Sequence, residues 1–167
     1  MSEQIETEKS DDLFQSLRWW EQLIIGKLHE GISQLSGEAQ DFILQKHAEA
    51  NVESILRAAA QMSGRDPMSF DVDEMIKYHE PMEILGSKGN SSVTREGNVI
   101  TFRSSLGYCY DACIEYGTIK PYPAYCKTTK FFFEGLYKIP HKGPVKAEVI
   151  KSAIRGDGEC LCRVELL

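Results

Sequence analysis

The stretch Val145-Lys146-Ala147-Glu148-Val149-Ile150-Lys151-Ser152-Ala153-Ile154-Arg155-Gly156-Asp157-Gly158-Glu159-Cys160-Leu161-Cys162-Arg163-Val164-Glu165-Leu166 decides the fold class. Val145 to Ile154 and Cys160 to Leu166 read as two strands, and Arg155 to Glu159, with its two glycines, reads as the turn that joins them. Cys160, Cys162, Val164 and Leu166 share one face of the last strand, and Leu161, Arg163 and Glu165 share the other. The first set is apolar, so that face belongs to the core of an antiparallel sheet covered on one side.

Working back toward the N-terminus, the pattern changes from period two to helical spacing. Ala124 to Tyr137 reads as a helix with Cys126 in its first turn, closed by a turn from Pro140 to Pro144. Thr118 to Pro123 reads as a loop. Gly107 to Glu115 reads as a short helix. Ser92–Arg95 and Val99–Phe102, joined by Glu96-Gly97-Asn98, form a first hairpin. Gly86-Ser87-Lys88-Gly89-Asn90 is a linker. Before it lie three helices. One follows Leu13, Leu17, Trp20, Ile24, Leu28, Ile32 and Leu35 to about Ser36, where Ser36-Gly37 breaks it. A second runs from about Glu38 to Met62 and stops at Ser63-Gly64-Arg65-Asp66-Pro67. A third starts near Asp71 and runs toward Leu85, with a kink or break expected at Pro81. Residues 1–10 are polar and acidic and are expected to be disordered.

The expected architecture is α+β. N-terminal helices precede an antiparallel sheet of two hairpins with helices between them. At 167 residues the chain suits one domain with one core over residues 11–167. Within it, residues 11–86 form a helical half and residues 91–167 a cysteine-containing half of sheet and helix.

Charge and composition exclude some functions. Residues 1–90 carry 8 Lys+Arg against 17 Asp+Glu, and residues 91–167 carry 11 against 8. An acidic helical half disfavours nucleic-acid binding. No apolar run is long enough to span a membrane. The acidic N-terminus lacks the basic and apolar regions of a signal peptide, so a cytoplasmic location is expected. There thiols stay free or metal-bound, and an odd count of 5 Cys argues against a closed disulfide framework.

All five cysteines lie in the second half, as Cys109-x-x-x-Cys113, Cys126 and Cys160-x-Cys162. The first pair shares a helix face and the last pair a strand face. A shared zinc or iron site drawing on Cys109, Cys113, Cys126, Cys160 and Cys162 is one reading, although no Cys-x-x-Cys knuckle is present. Packing as small apolar side chains is the plainer one. Cys126 opens a helix, where the dipole and nearby Lys127 and Lys130 favour a thiolate nucleophile. Such a nucleophile needs a proton partner. Of the histidines, His141 in its turn has the freest access, while His29 and His47, beside charged neighbours on helices, read as surface residues.

Aromatic residues are dense in the same half: Tyr108, Tyr110, Tyr116, Tyr122, Tyr125, Phe131, Phe132, Phe133 and Tyr137. That density suits a pocket for an apolar or aromatic small molecule, with core packing as the alternative. Tyr108, Tyr122, Lys130, Phe133 and Tyr137 are the candidate ligand-binding residues, and the pocket is expected between the helix 124–137 and the inward face of the last strand. Gly135 sits inside a helix at a cost of about 1 kcal/mol against Ala, which signals close approach by another backbone or a ligand.

These residues also carry a family resemblance. A cysteine follows the strand Val99–Phe102, here Cys109, and another, Cys126, follows beyond a short helix. Glu134-Gly135-Leu136 lies on the next helix, and Gly156-Asp157-Gly158-Glu159-Cys160 leads into the last strand. In this the stretch from Gly107 to Leu166 resembles the L-2-amino-thiazoline-4-carboxylic acid hydrolase-like family. It is also similar to the broader vinyl-4-reductase and hydrocarbon-binding superfamily. The resemblance implies a small-molecule-sensing or carrying domain. It also implies, as an alternative, a cysteine-dependent hydrolase of a cyclic C–N bond acting through Cys126 or Cys109. A structural or interaction protein is a third implication, since the superfamily fold serves in vesicle-tethering subunits, and a homodimer through the helical half would fit it. Two departures stand out. Val149 and Ser152 occupy the positions where the aromatic sensors carry a zinc-binding Glu and Cys. Lys127-Thr128-Thr129 stands where the hydrolase-like group carries acids.

Overall fold

A computed structural model describes residues 23–86, 91–104 and 122–167. The expectations for residues 1–10, for the start of the first helix and for the helix 107–115 with Tyr108, Cys109 and Cys113 lie outside these.

The chain is α+β. Helix α1 covers residues 23–34, α2 Gly37–Ser63 and α3 Val72–Gly86. Strands β1 (Ser91–Glu96) and β2 (Val99–Ser104) follow, then α4 (Cys126–His141), β3 (Val145–Lys151) and β4 (Cys160–Leu166). The sheet is four-stranded and antiparallel in the order β1-β2-β4-β3, so each hairpin contributes one central strand. Gly97 takes φ 60° at the tip of the first hairpin, a left-handed conformation that glycine adopts without a steric penalty.

Period two in the sequence becomes one buried sheet face. Ile100, Phe102 and Ser104 on β2 and Cys160, Cys162, Val164 and Leu166 on β4 are all buried. In register, Ile100 pairs with Val164, Phe102 with Cys162 and Ser104 with Cys160. Helix α4 lies on this face, with α2 packed along its other side. The core between them gathers Phe132, Phe133, Leu136 and Tyr137 from α4, Ala48 and Ala59 from α2, and Phe70, Val72 and Met75 from the start of α3 and the turn before it.

Three boundaries differ from the sequence reading. Helix α3 continues through Pro81 instead of breaking there. A proline removes one backbone bond, and the bonds on either side carry the helix on. Helix α4 runs on to His141 through Pro140, and Lys142 closes it in a left-handed conformation, its N–H donating to Lys138 O at 3.0 Å. Strand β3 stops at Lys151 rather than Ile154. The Ser152 N–H donates to Asp157 Oδ2 at 2.7 Å, and Arg155 and Gly156 N–H groups close a short 3-10 turn onto Ser152 and Ala153. These local bonds satisfy backbone groups that a longer strand would have used.

Candidate functional site

Two regions are candidates: the place where the cysteines meet, and a groove between α2 and α4.

The segment from Tyr122 to Cys126 leads into α4 through a 3-10 turn with Pro123 in its first position. This places Cys126 at the helix start, facing the end of β3. The Cys126 Sγ lies 3.0 Å from Ser152 Oγ. The next residue, Ala153, donates its N–H to Cys160 Sγ at 3.4 Å. Cys162, paired across the sheet with Phe102 and Val149, lies one step deeper. The three thiols border one small pocket of about 10 Å³ with Tyr125, Thr129 and Val149, room for about one water. The fold therefore brings together Cys126, Cys160 and Cys162, which the sequence had placed on two separate elements. Cys109 and Cys113 lie outside the described residues. Among the described residues no three His, Cys, Asp or Glu side chains stand in a metal-holding group. The hydrogen-bond partner of Cys126 is a hydroxyl rather than an imidazole or carboxylate. Cys126 is half-buried while Cys160 and Cys162 are buried. Alkylation of the folded protein should therefore modify Cys126 well before Cys160 or Cys162. Peptide mapping after brief iodoacetamide treatment checks this, and equal labelling of all three would contradict the packing.

The space expected to hold a ligand, between α4 and the inner face of β4, is filled by aromatic side chains. Phe133 and Phe102 stack with ring centres 4.2 Å apart, and both are 0% exposed. Tyr137 is equally buried, with its hydroxyl 3.1 Å from His79 Nδ1. The His79 ring sits among Phe102, Phe132, Phe133 and Tyr137. Phe133 and Tyr137 are thus core residues. Lys130 is exposed on α4 with Glu134 3.9 Å away.

A second polar cluster was missed in the sequence. His29 on α1 is 3% exposed and His47 on α2 is half-buried, which corrects their reading as surface residues. The His29 Nδ1 lies 2.9 Å from the Tyr122 hydroxyl. Its ring meets those of His47 and Tyr125 at centroid distances of 5.3 and 5.1 Å. Burial first, and then the neighbouring His47, hold the His29 pKa down at about 4. Burial also lowers that of His47. Both rings are therefore neutral at pH 7, and the cluster fastens α1 and α2 to the segment entering α4. The available signal was His29 standing three residues before Ile32, on the same helical face as an apolar neighbour.

The larger concavity lies on the other side of α4. A groove of about 560 Å³ runs between α2 and α4 and is lined also by Pro144 and Val145. Val52, Phe131 and the bare backbone of Gly135 form its apolar floor, and Gln45, Glu49 and Lys138 stand at its edges. The Val52 Cγ2 is 3.4 Å from where a Cβ on Gly135 would sit, so the glycine marks a close helix–helix approach. Glu134 is anchored there by accepting the Ala147 N–H at 3.1 Å, which fastens α4 to β3. Of the described residues singled out in the sequence as ligand-binding, none lines this groove, although Gly135, noted for close approach, does.

No family model matches the chain, and no curated protein sequence does. The hydrolase-like resemblance read from residues 107–166 therefore gains no support from these comparisons. Solved structures do match. The chain is similar to a trafficking protein particle complex subunit 3 from Naegleria fowleri, determined covalently bound to palmitic acid. The two share 12% identity with a TM-score of 0.58, over 88% of this chain and 95% of that one. At that identity the likeness shows a shared fold.

Proposed function

We propose that the protein is a non-catalytic binding subunit that carries or senses a small apolar molecule in the α2–α4 groove. The observation that carries this reading is the groove itself, about 560 Å³ in volume with an apolar floor beside Gly135. That volume falls in the range of small-molecule sites. An elongated apolar ligand would lie along Val52, Phe131 and Val145, with a polar end toward Gln45 and Lys138. The palmitic acid carried by the structural neighbour is a ligand of that kind. The aromatic-rich half now serves as the rigid wall: Phe132, Phe133 and Tyr137 fill the core and fix α4 in place. A cysteine hydrolase acting on a thiazoline carboxylate, and a zinc or iron site, find no support among the described residues. Cys126 bonds a serine hydroxyl, and among the described residues no three His, Cys, Asp or Glu side chains stand in a metal-holding group.

The test is a fluorescence titration with cis-parinaric acid, an apolar chain with a carboxylate end. The parent protein should bind it with micromolar affinity. Gly135→Leu should weaken binding at least about tenfold, because the new side chain occupies the groove floor and displaces apolar contact. A Cβ at this position already meets Val52 Cγ2 at 3.4 Å, so the fold of the variant is checked alongside its binding. A thermal melt confirms that the variant is folded. Absence of binding by the parent, or parent-like binding by folded Gly135→Leu, would overturn the reading.

A further inference from the structure

The Ser152–Ala153 corner brings two thiols from separate elements onto adjacent groups. Cys126, the first residue of α4, has its Sγ 3.0 Å from the Ser152 Oγ. Cys160, the first residue of β4, accepts the N–H of the next residue, Ala153, at 3.4 Å. Both cysteines also line one void of about 10 Å³. The two side chains thus meet at one corner, with free space beside them in which a sulfur can shift.

Access to the thiols is graded. Cys126 is half-buried, whereas Cys160 and Cys162 are 5% and 1% exposed. An oxidant arriving from solvent therefore meets Cys126 first. Cys160 begins its strand directly after the turn that contains Gly156 and Gly158, where the backbone adjusts at little cost. Cys162 lies two residues further in, within the main core beside Phe102 and Phe133. Its strand position is paired on both sides, with Phe102 and with Val149. A reachable thiol beside a sheltered and adjustable second one is the arrangement of a sensing and a resolving cysteine.

We propose that Cys126 and Cys160 are a hydroperoxide-responsive pair that closes reversibly to a disulfide. The Cys126 sulfur attacks one oxygen of the hydroperoxide. The O–O bond breaks, an S–O bond forms, and the thiol proton leaves with the departing oxygen as water or an alcohol. Sulfur loses the electron pair that the peroxide gains. The Cys160 sulfur then attacks the sulfenic acid on Cys126. An S–S bond forms, the S–O bond breaks, and the Cys160 proton leaves with the hydroxide as water. The closed bond ties the entry of α4, which follows directly on Tyr122 and Tyr125, to the first residue of β4. A dithiol reductant reopens it by exchange. None of the three corner thiols lines the α2–α4 groove, so the pair is independent of ligand binding there.

Brief treatment of the full chain with hydrogen peroxide, then blocking of free thiols, digestion and mass spectrometry, reads the bond directly. Trypsin with chymotrypsin cleaves after Tyr116 and Lys127, which separates Cys126 from Cys109 and Cys113. Fragmentation of the peptide assigns Cys160 or Cys162. The folded parent should yield the Cys126–Cys160 link, and dithiothreitol should remove it. Cys160→Ala should lower the cross-link yield from Cys126 at least about tenfold, because a disulfide tolerates only a narrow geometry. In that variant the sulfenic acid on Cys126 should accumulate and be captured by dimedone. Cys162→Ala should keep the link. Oxidation in urea should scatter the pairing among the five cysteines. Circular dichroism checks that the variants are folded, and the map of the parent needs no substitution. A parent in which Cys126 stays reduced, a link from Cys126 chiefly to a thiol other than Cys160, or the same pairing pattern in urea would each overturn the proposal.

Discussion

Phe133→Ala should lower the unfolding free energy by about 3–5 kcal/mol, the range for truncating a buried phenylalanine. Phe133 is 0% exposed and stacks on Phe102 at 4.2 Å. It also touches the rings of His79, Phe132 and Tyr137. Removing it opens a cavity at the junction of α3, α4 and the sheet, and it also exposes the His79–Tyr137 pair to a looser environment. The rigid packing of these rings leaves little room for collapse, which is what makes large-to-small changes costly. Lys46→Ala is the control. Its ammonium pairs with Glu49 at 2.5 Å on an exposed helix surface, and such pairs contribute about 0–1 kcal/mol. Urea unfolding of the two variants checks the contrast. A Phe133→Ala loss below about 1 kcal/mol would mean that the aromatic cluster is not the packed core described here.

Stability should also fall as the pH drops from about 6.5 toward 4, and the His29 cluster should carry part of that loss. In the unfolded chain His29 titrates near 6.5, whereas in the fold its pKa is held down at about 4. Between those values the unfolded chain binds the additional proton, so acid favours unfolding. The stabilisation is complete above the unfolded value and is lost as the pH falls through the window. A shift of this size sets a ceiling of about 3 kcal/mol. His47, lowered by burial in the same cluster, adds in the same direction. His29→Gln cannot gain the proton and keeps a polar group beside Tyr122. Its melting temperature should therefore decline less than the parent's between pH 6.5 and 4. Parallel declines in the two proteins would show that carboxylates alone govern the acid limb.

The histidines show where sequence reading stops. Lys27 and Glu30 beside His29 form an exposed ion pair, and Lys46 and Glu49 beside His47 form another. Charged neighbours along a helix therefore gave the right account of those neighbours and the wrong one of the rings between them. A helix turns about 100° per residue, so adjacent positions in the chain face different surroundings. The partner that buries His29 is Tyr122, 93 positions away. The same distance in sequence hid the groove. Gln45, Glu49 and Val52 come from α2, and Phe131, Glu134, Gly135 and Lys138 come from α4. Only Gly135, an expensive residue inside a helix, betrayed that something approached closely there.

The sequence by itself determined the α+β class, the two hairpins, and the inward face of β4 with Cys160, Cys162, Val164 and Leu166, because alternation and turn residues act over a few positions. It also determined the helical apolar spacing through Ile24, Leu28, Ile32 and Leu35, though not which part of that helix would be covered. Tertiary structure alone decided that Phe133 and Tyr137 fill the core, since aromatic density is equally compatible with a pocket and with close packing. It alone brought Cys126 to Cys160 across the Ser152–Ala153 corner, and it alone opened the concavity between α2 and α4. Each of these depends on which helix lies against which sheet face, a choice made by the summed burial of many residues far apart in the chain.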